Sequence, residues 1–174
     1  MLAWGLGRWL GIDPAERLYL SGTAVLTGTA ASLPLLLGLR WTLSTSFQPV
    51  RRLVEVVEDQ LGPLLVSRSP VELAVLAVLA GLAEEILFRG VVQVGLARVL
   101  PDGAALVLAS VAFGLAHFIT RAYALLAGMA GLYLGAVFLM QGNLVAPIVA
   151  HAVYDFVALT YLVRRYRARR ETPR

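Results

Sequence analysis

Residues 71–89 read VELAVLAVLAGLAEEILFR, and this stretch decides the fold. It is apolar from Leu73 to Ala83, and the apolar character resumes beyond Arg89. A helix over about 71–97 is therefore long enough to cross roughly 30 Å of hydrocarbon at a rise of about 1.5 Å per residue. Just before it, Ser69-Pro70-Val71-Glu72 predicts the helix start: Ser69 accepts from a free backbone N–H, Glu72 reaches back, and Pro70 suits the first helical position. Inside the membrane-length run stand Glu84, Glu85 and Arg89. Such groups each cost about 2.5 kcal/mol or more at the centre of a membrane helix, so a chain that retains them is using them. Residues four apart share a helix face while neighbours diverge. Glu85 is thus expected to pair with Arg89, leaving Glu84 pointing elsewhere and free to act as a general base.

Working outward, the whole chain reads as a membrane protein. It has 174 residues, 59% of them hydrophobic, and a mean hydropathy of +0.76, far above a soluble average. Other apolar runs lie near 18–39, 104–120, 122–140 and 143–163, so the expected fold is all-α: a polytopic transmembrane helix bundle of about five spans. The first run is too long for the apolar region of a signal peptide and is expected to be retained. Pro101-Asp102-Gly103 and Gln141-Gly142-Asn143 carry turn chemistry. Between the first two spans, residues 47–66 set Leu53, Val56, Val57 and Leu61 against Arg51, Arg52, Glu55, Glu58 and Asp59, with Gly62-Pro63 as a break. This pattern predicts an amphipathic helix lying in the interface, or one packed on the bundle. Gly128, Gly131 and Gly135 make the span at 122–140 a close-packing helix. Three regions follow: an amino-terminal span with its amphipathic segment (1–69), a helix bundle carrying the ionisable groups (70–163), and a basic tail (164–174).

Net charge is +4 and every basic residue is Arg. These arginines cluster outside the apolar runs and do not form a face that tracks phosphates, so nucleic acid is not an expected partner while the lipid bilayer is. With the carboxyl terminus in the cytoplasm, most of the arginines fall inside, as the positive-inside rule requires. Arg used without Lys suggests a bacterial chain, and a bacterial cytoplasmic membrane is the expected location. There is no cysteine, which removes disulfides, thiolate metal sites and cysteine nucleophiles.

The two histidines are His117, one turn beyond Phe113, and His151, one turn before Asp155, each in a different apolar run. With Glu84 they would bring three helices to one polar pocket suited to activating water: a carboxylate takes the proton, and imidazoles bind a metal or donate to the oxyanion. Two histidines and a carboxylate are an accepted catalytic zinc set, so His117, His151 and Asp155 are candidate ligands for Zn2+. A His-Glu-x-x-His motif, a nucleophile elbow, a phosphate-binding glycine loop and a dinucleotide fingerprint are all absent.

At these residues the chain resembles the CPBP intramembrane metalloprotease family, which includes the CAAX prenyl endopeptidases of the Rce1 type and bacteriocin-processing or immunity (ABI) proteins. The family pattern is Glu-Glu-x-x-x-Arg, then Phe-x-x-x-His, then His-x-x-x-Asn or Asp; here it falls in order on Glu84, Glu85 and Arg89, on Phe113 and His117, and on His151 and Asp155. The resemblance covers about residues 70–163. It implies an intramembrane endopeptidase in which Glu84 activates water to hydrolyse a peptide bond of a membrane-associated peptide or protein. His117 and His151 would position that water or stabilise the oxyanion, and Glu85, Arg89 and Phe113 would support them. In the prenyl endopeptidases the last motif ends in Asn; an ionised Asp155 only accepts hydrogen bonds, so it is expected to orient His151 or bind metal. Two other classes remain open: a non-catalytic binding or immunity protein of the same fold, and a proton-coupled transporter using the same groups as a relay.

Overall fold

The computed structural model describes residues 2–171. Arg174 of the expected basic tail lies outside the described residues, as do Met1, Thr172 and Pro173. Among the described residues the chain is helical and strand-free: α1 (Leu2–Leu10), α2 (Gly22–Ser44), α3 (Gln48–Leu65), α4 (Pro70–Glu85), a π-helical segment (Ile86–Gln93), α5 (Val94–Ala97), α6 (Asp102–Ala116), α7 (Arg121–Gln141) and α8 (Val145–Glu171). This is the helical membrane bundle the hydropathy predicted. Three helices, α2, α7 and α8, are individually long and apolar enough to cross a membrane, and α6 is shorter but apolar. Helical structure runs without interruption from Pro70 to Ala97, the stretch expected near 71–97. Leucines and valines such as Leu26, Leu33, Val75, Leu79 and Leu125 face outward, the inverse of a water-soluble surface and the natural lipid face of a bundle.

The expected capping box forms at the start of α4. Ser69 Oγ accepts from Glu72 N at 3.3 Å and the Ser69 N–H donates to Glu72 Oε2 at 2.8 Å. At the other end the helix widens into π geometry directly after Glu85. A π stretch shifts the side-chain faces relative to an α-helix, and such stretches favour functional sites. Here it turns Arg89 and Gln93 onto α7, where they donate to the carbonyls of Gly131 (2.8 Å) and Gly135 (3.3 Å).

α8 is the central post, flanked by α2 and α4, while α6 packs along α7. Each of these seams closes over a glycine. A Cβ on Gly28 would strike the Ala146 carbonyl, one on Gly81 would crowd Ile148 O and Ala152 N, and one on Gly114 would strike the Ala124 carbonyl. Small residues substitute for a hydrophobic drive between helices in lipid by letting backbones approach. The small-residue seam predicted on α7 is therefore one of several. α7 ends at Gly142 with φ 61, a left-handed C-cap that begins the turn into α8.

Several expectations shift. The first span runs over Gly22–Ser44 instead of 18–39, because Ser21 caps it by accepting from Ala24 N at 3.2 Å; Leu18 packs against the core from the preceding loop. α1 was not anticipated. Arg98 ties its end down by donating to the carbonyls of Leu10 (2.7 Å) and Gly11 (2.9 Å). The amphipathic segment is α3, which packs against α2, α7 and α8. Pro63 does not end it at Gly62-Pro63, since the helix continues to Leu65. Glu58, placed on the polar face by the sequence pattern, is fully buried, because arginines from the end of α8 come to meet it. The basic stretch from residue 164 is helical as far as Glu171.

Candidate active site

Four elements deliver the ionisable groups. Glu84 and Glu85 end α4 where the π segment begins. Arg89 lies within that segment, and His151 and Asp155 stand one turn apart on α8. His117 is the C-cap of α6, so its side chain leaves the helix where the backbone turns away. Its short loop ends at Thr120, which caps α7 by accepting from Tyr123 N at 3.1 Å. The structure brings all seven motif residues, Glu84, Glu85, Arg89, Phe113, His117, His151 and Asp155, into one cluster.

The buried half of the cluster is an ion network. Glu85 is fully buried and Arg89 nearly so. Glu85 Oε1 receives Arg89 Nη1 at 3.0 Å and His151 Nδ1 at 2.8 Å. The other guanidinium nitrogen donates to Gly131 O, and the guanidinium carbon sits 4.7 Å from the centre of the Phe113 ring. Phe113 is a plate with work on both sides: it stacks on His117 at 4.4 Å and 28° and meets Phe88 edge-on at 5.0 Å. The expected Glu85–Arg89 pair is present, and Glu84 is left out of it.

Glu84 faces the other way. Its Oε2 lies 3.3 Å from His117 Nε2 and 3.9 Å from His151 Nε2, yet that oxygen is buried and makes no hydrogen bond. Both imidazoles are anchored at the far nitrogen. His117 Nδ1 contacts the Phe113 carbonyl at 2.8 Å, and a carbonyl only accepts, so that nitrogen carries a proton. The ion-paired Glu85 accepts from His151 Nδ1 in the same way and leaves Nε2 to face the cavity, where it can carry a second proton. Each ring therefore turns Nε2 toward Glu84. Asp155 Oδ2 approaches His151 Nε2 at 3.5 Å from α8 itself. His151 is thus held by two acids, Glu85 at Nδ1 and the expected Asp155 at Nε2. The sequence showed Glu85 only as the partner of Arg89, because its second contact crosses between helices and leaves no spacing signal. Tyr123, also unsuspected, stands edge-on to His117 at 6.1 Å between ring centres.

The cluster borders a cavity of ≈620 Å³ walled by α2, α3, α7 and α8, with Glu84, His117, His151 and Asp155 in its lining. Two carboxylates and two Nε2 atoms that share a small volume next to an apolar chamber can hold a water and move its proton. Among the described residues no three His, Asp or Glu groups are arranged to hold a metal ion; in the present rotamers Glu84 itself stands between the imidazoles.

Residues 67–157, just over half of the chain, match the family model of the type II CAAX prenyl endopeptidases, Rce1-like. The match contains every residue of the cluster. No curated protein and no solved structure matches the chain.

Proposed function

The chain belongs to the Rce1-like family of type II CAAX prenyl endopeptidases, and from that premise we propose that it hydrolyses a peptide bond of a membrane-associated peptide or protein with water activated by Glu84. One observation carries the reading: Glu84 Oε2 lies 3.3 and 3.9 Å from the Nε2 atoms of two anchored imidazoles in the lining of an apolar cavity. The water oxygen attacks the scissile carbonyl carbon as its proton passes to Glu84. His117, stacked on Phe113 and 3.3 Å away, steadies the carboxylate and shares that proton. His151, protonated at Nε2, donates to the oxyanion, and its charge is balanced by Glu85 at Nδ1 and by Asp155. When the tetrahedral intermediate collapses, the C–N bond breaks and Glu84 returns the proton to the leaving amine.

Asp155 fits this scheme as a counter-charge. Ionised, it has no hydrogen to offer an oxyanion, so His151 is the donor.

Zinc is the metal that the family resemblance raises. The donor types suit it, since His117, His151 and Asp155 are two imidazoles with committed Nδ1 atoms plus a carboxylate, although their present spacing does not close a three-group site. Bound there, zinc would lower the pKa of a water ligand. Every step above is carried by the chain's own residues.

The test uses purified protein in liposomes, a panel of quenched fluorescent peptides and water enriched in 18O. Cleavage should place one heavy oxygen in the new carboxylate, as read by mass spectrometry. A product that forms without the label, or no cleavage of any membrane-associated peptide, refutes the proposal. Elemental analysis of the same preparation decides the metal: about one zinc per chain, lost in His117→Ala, assigns the ligands, whereas full activity without zinc assigns the work to the carboxylate alone. In this reading the arginine-rich end of α8 is cytoplasmic, in a bacterial cytoplasmic membrane.

A further inference from the structure

Glu58 is a fully buried carboxylate to which the hydrolysis just described gives no task. It lies on α3 and has no contact with Glu84 or the two histidines. Two arginines of the last turns of α8 hold it, Arg165 at 2.8 Å and Arg169 at 3.1 Å. The grip extends beyond them. Arg167 donates twice to the Val66 carbonyl just past the end of α3, at 2.6 and 3.1 Å, and Gly62 lies against the Tyr166 ring, where a Cβ would not fit. Glu58 and Gly62, one turn apart, thus form a stripe of α3 that faces the end of α8.

The neighbouring stripe of α3 faces the cavity, with Leu53, Val54, Val57 and Leu61 in its lining. Of the cavity's long walls, α2, α7 and α8 are candidate membrane spans and α3 is not. α3 is amphipathic and is joined to α2 and α4 by short links. Its seat depends on the polar grip of α8, the same helix that carries His151 and Asp155. Whatever apolar group of a bound peptide enters the chamber beyond the reacting atoms meets this wall.

Resting on the hydrolase reading, we propose that α3 is the wall that selects the apolar side chain of the substrate, and that the buried Glu58, held by the more exposed Arg165 and Arg169, is the clamp that sets where this wall stands. Glu58, Arg165 and Arg169 are then positioning residues. They touch no substrate, and they act through Val54, Val57 and Leu61.

Two readouts test this separately from turnover. The chain has no cysteine, so Arg52→Cys on α3 and Arg121→Cys at the start of α7, both exposed, place one spin label on α3 and one on α7, two helices that wall the chamber. Glu58→Gln should broaden the distance distribution and shift it to longer values; an unchanged distribution overturns the clamp. Binding is read on Glu84→Gln protein with two fluorescent peptides that differ only in alanine or naphthylalanine at one position. The larger group should bind at least about tenfold tighter, and Glu58→Gln should erase most of that ratio. Equal binding of the two peptides, or a ratio untouched by Glu58→Gln, overturns the wall. If Glu58→Gln does not fold, Val57→Ala with Leu61→Ala leaves the clamp intact and should lower the same ratio; no change there is equally fatal. Cleavage by the Glu84 protein is scored apart. Absent cleavage with the binding ratio preserved removes the hydrolase and leaves the wall, whereas cleavage with no ratio does the reverse.

Discussion

Glu84→Gln in protein reconstituted in liposomes is expected to lower peptide cleavage by about 10² to 10⁴-fold, the usual contribution of a positioned general base, while the thermal unfolding midpoint in detergent stays at the wild-type value. Both halves of the expectation come from geometry. The amide keeps the shape of the side chain but cannot take a proton from water, so the attack loses its base. Stability is spared because Glu84 stands outside the buried network: the bonds that join Glu85, Arg89, His151 and Gly131 O form without it. Its own side chain is partly open to the cavity, and its Oε2 has no hydrogen bond to lose. The same variant separates the other classes considered for this sequence. A binding or immunity protein would keep its phenotype with Gln at this position, and a proton-coupled carrier would lose flux without ever having cleaved a peptide. Unchanged turnover in Glu84→Gln removes Glu84 from the chemistry.

What the sequence revealed and what it hid divide along a physical line. Contacts within one helix were legible, because a fixed rise and twist turn spacing into proximity. Glu85 and Arg89 pair four apart, and Phe113 and His117 stack four apart. The apolar runs located the long helices because the cost of exposing a backbone to lipid leaves few alternatives. Between helices, the convergence of Glu84, His117 and His151 on one pocket was legible, but the individual contacts were not. Glu85 reaches His151 across 66 positions, and nothing in either run says which face meets which. The sequence therefore offers only Asp155, the acid nearest along the chain, to orient His151 or bind metal, and the second contact, from Glu85, is hidden. Glu58 misled for the same reason: on its own helix it belongs to the charged stripe, and only the distant arginines of α8 bury it. α1 was missed because it is short and is held in place by Arg98, far along the chain. The π turn after Glu85 has no sequence signature of its own, yet it aims Arg89 and Gln93 at the glycine carbonyls of α7.

The second large effect concerns that buried network, and here stability and activity should come apart. Arg89→Met leaves Glu85 as a carboxylate in a fully buried site with one of its two donors gone. Breaking a buried pair by removing one member typically costs about 3–5 kcal/mol, a large share of a marginal total of about 5–15 kcal/mol. The variant should unfold at a clearly lower temperature and yield little folded protein. Adding Glu85→Leu removes the stranded charge, and since buried pairs replaced by apolar groups of similar volume are often no less stable, the double variant should recover most of the loss. This coupling is itself the measurement, because two independent sites would show additive losses. Activity should not return with the fold. Without Glu85, His151 loses the acceptor that fixes its Nδ1 proton and turns Nε2 toward Glu84, so a stable double variant with cleavage still near background identifies Glu85 as a positioning group for His151. If the double variant recovers cleavage together with stability, the contact between Glu85 and His151 is incidental, and the donor to the oxyanion has to be sought elsewhere in the cavity.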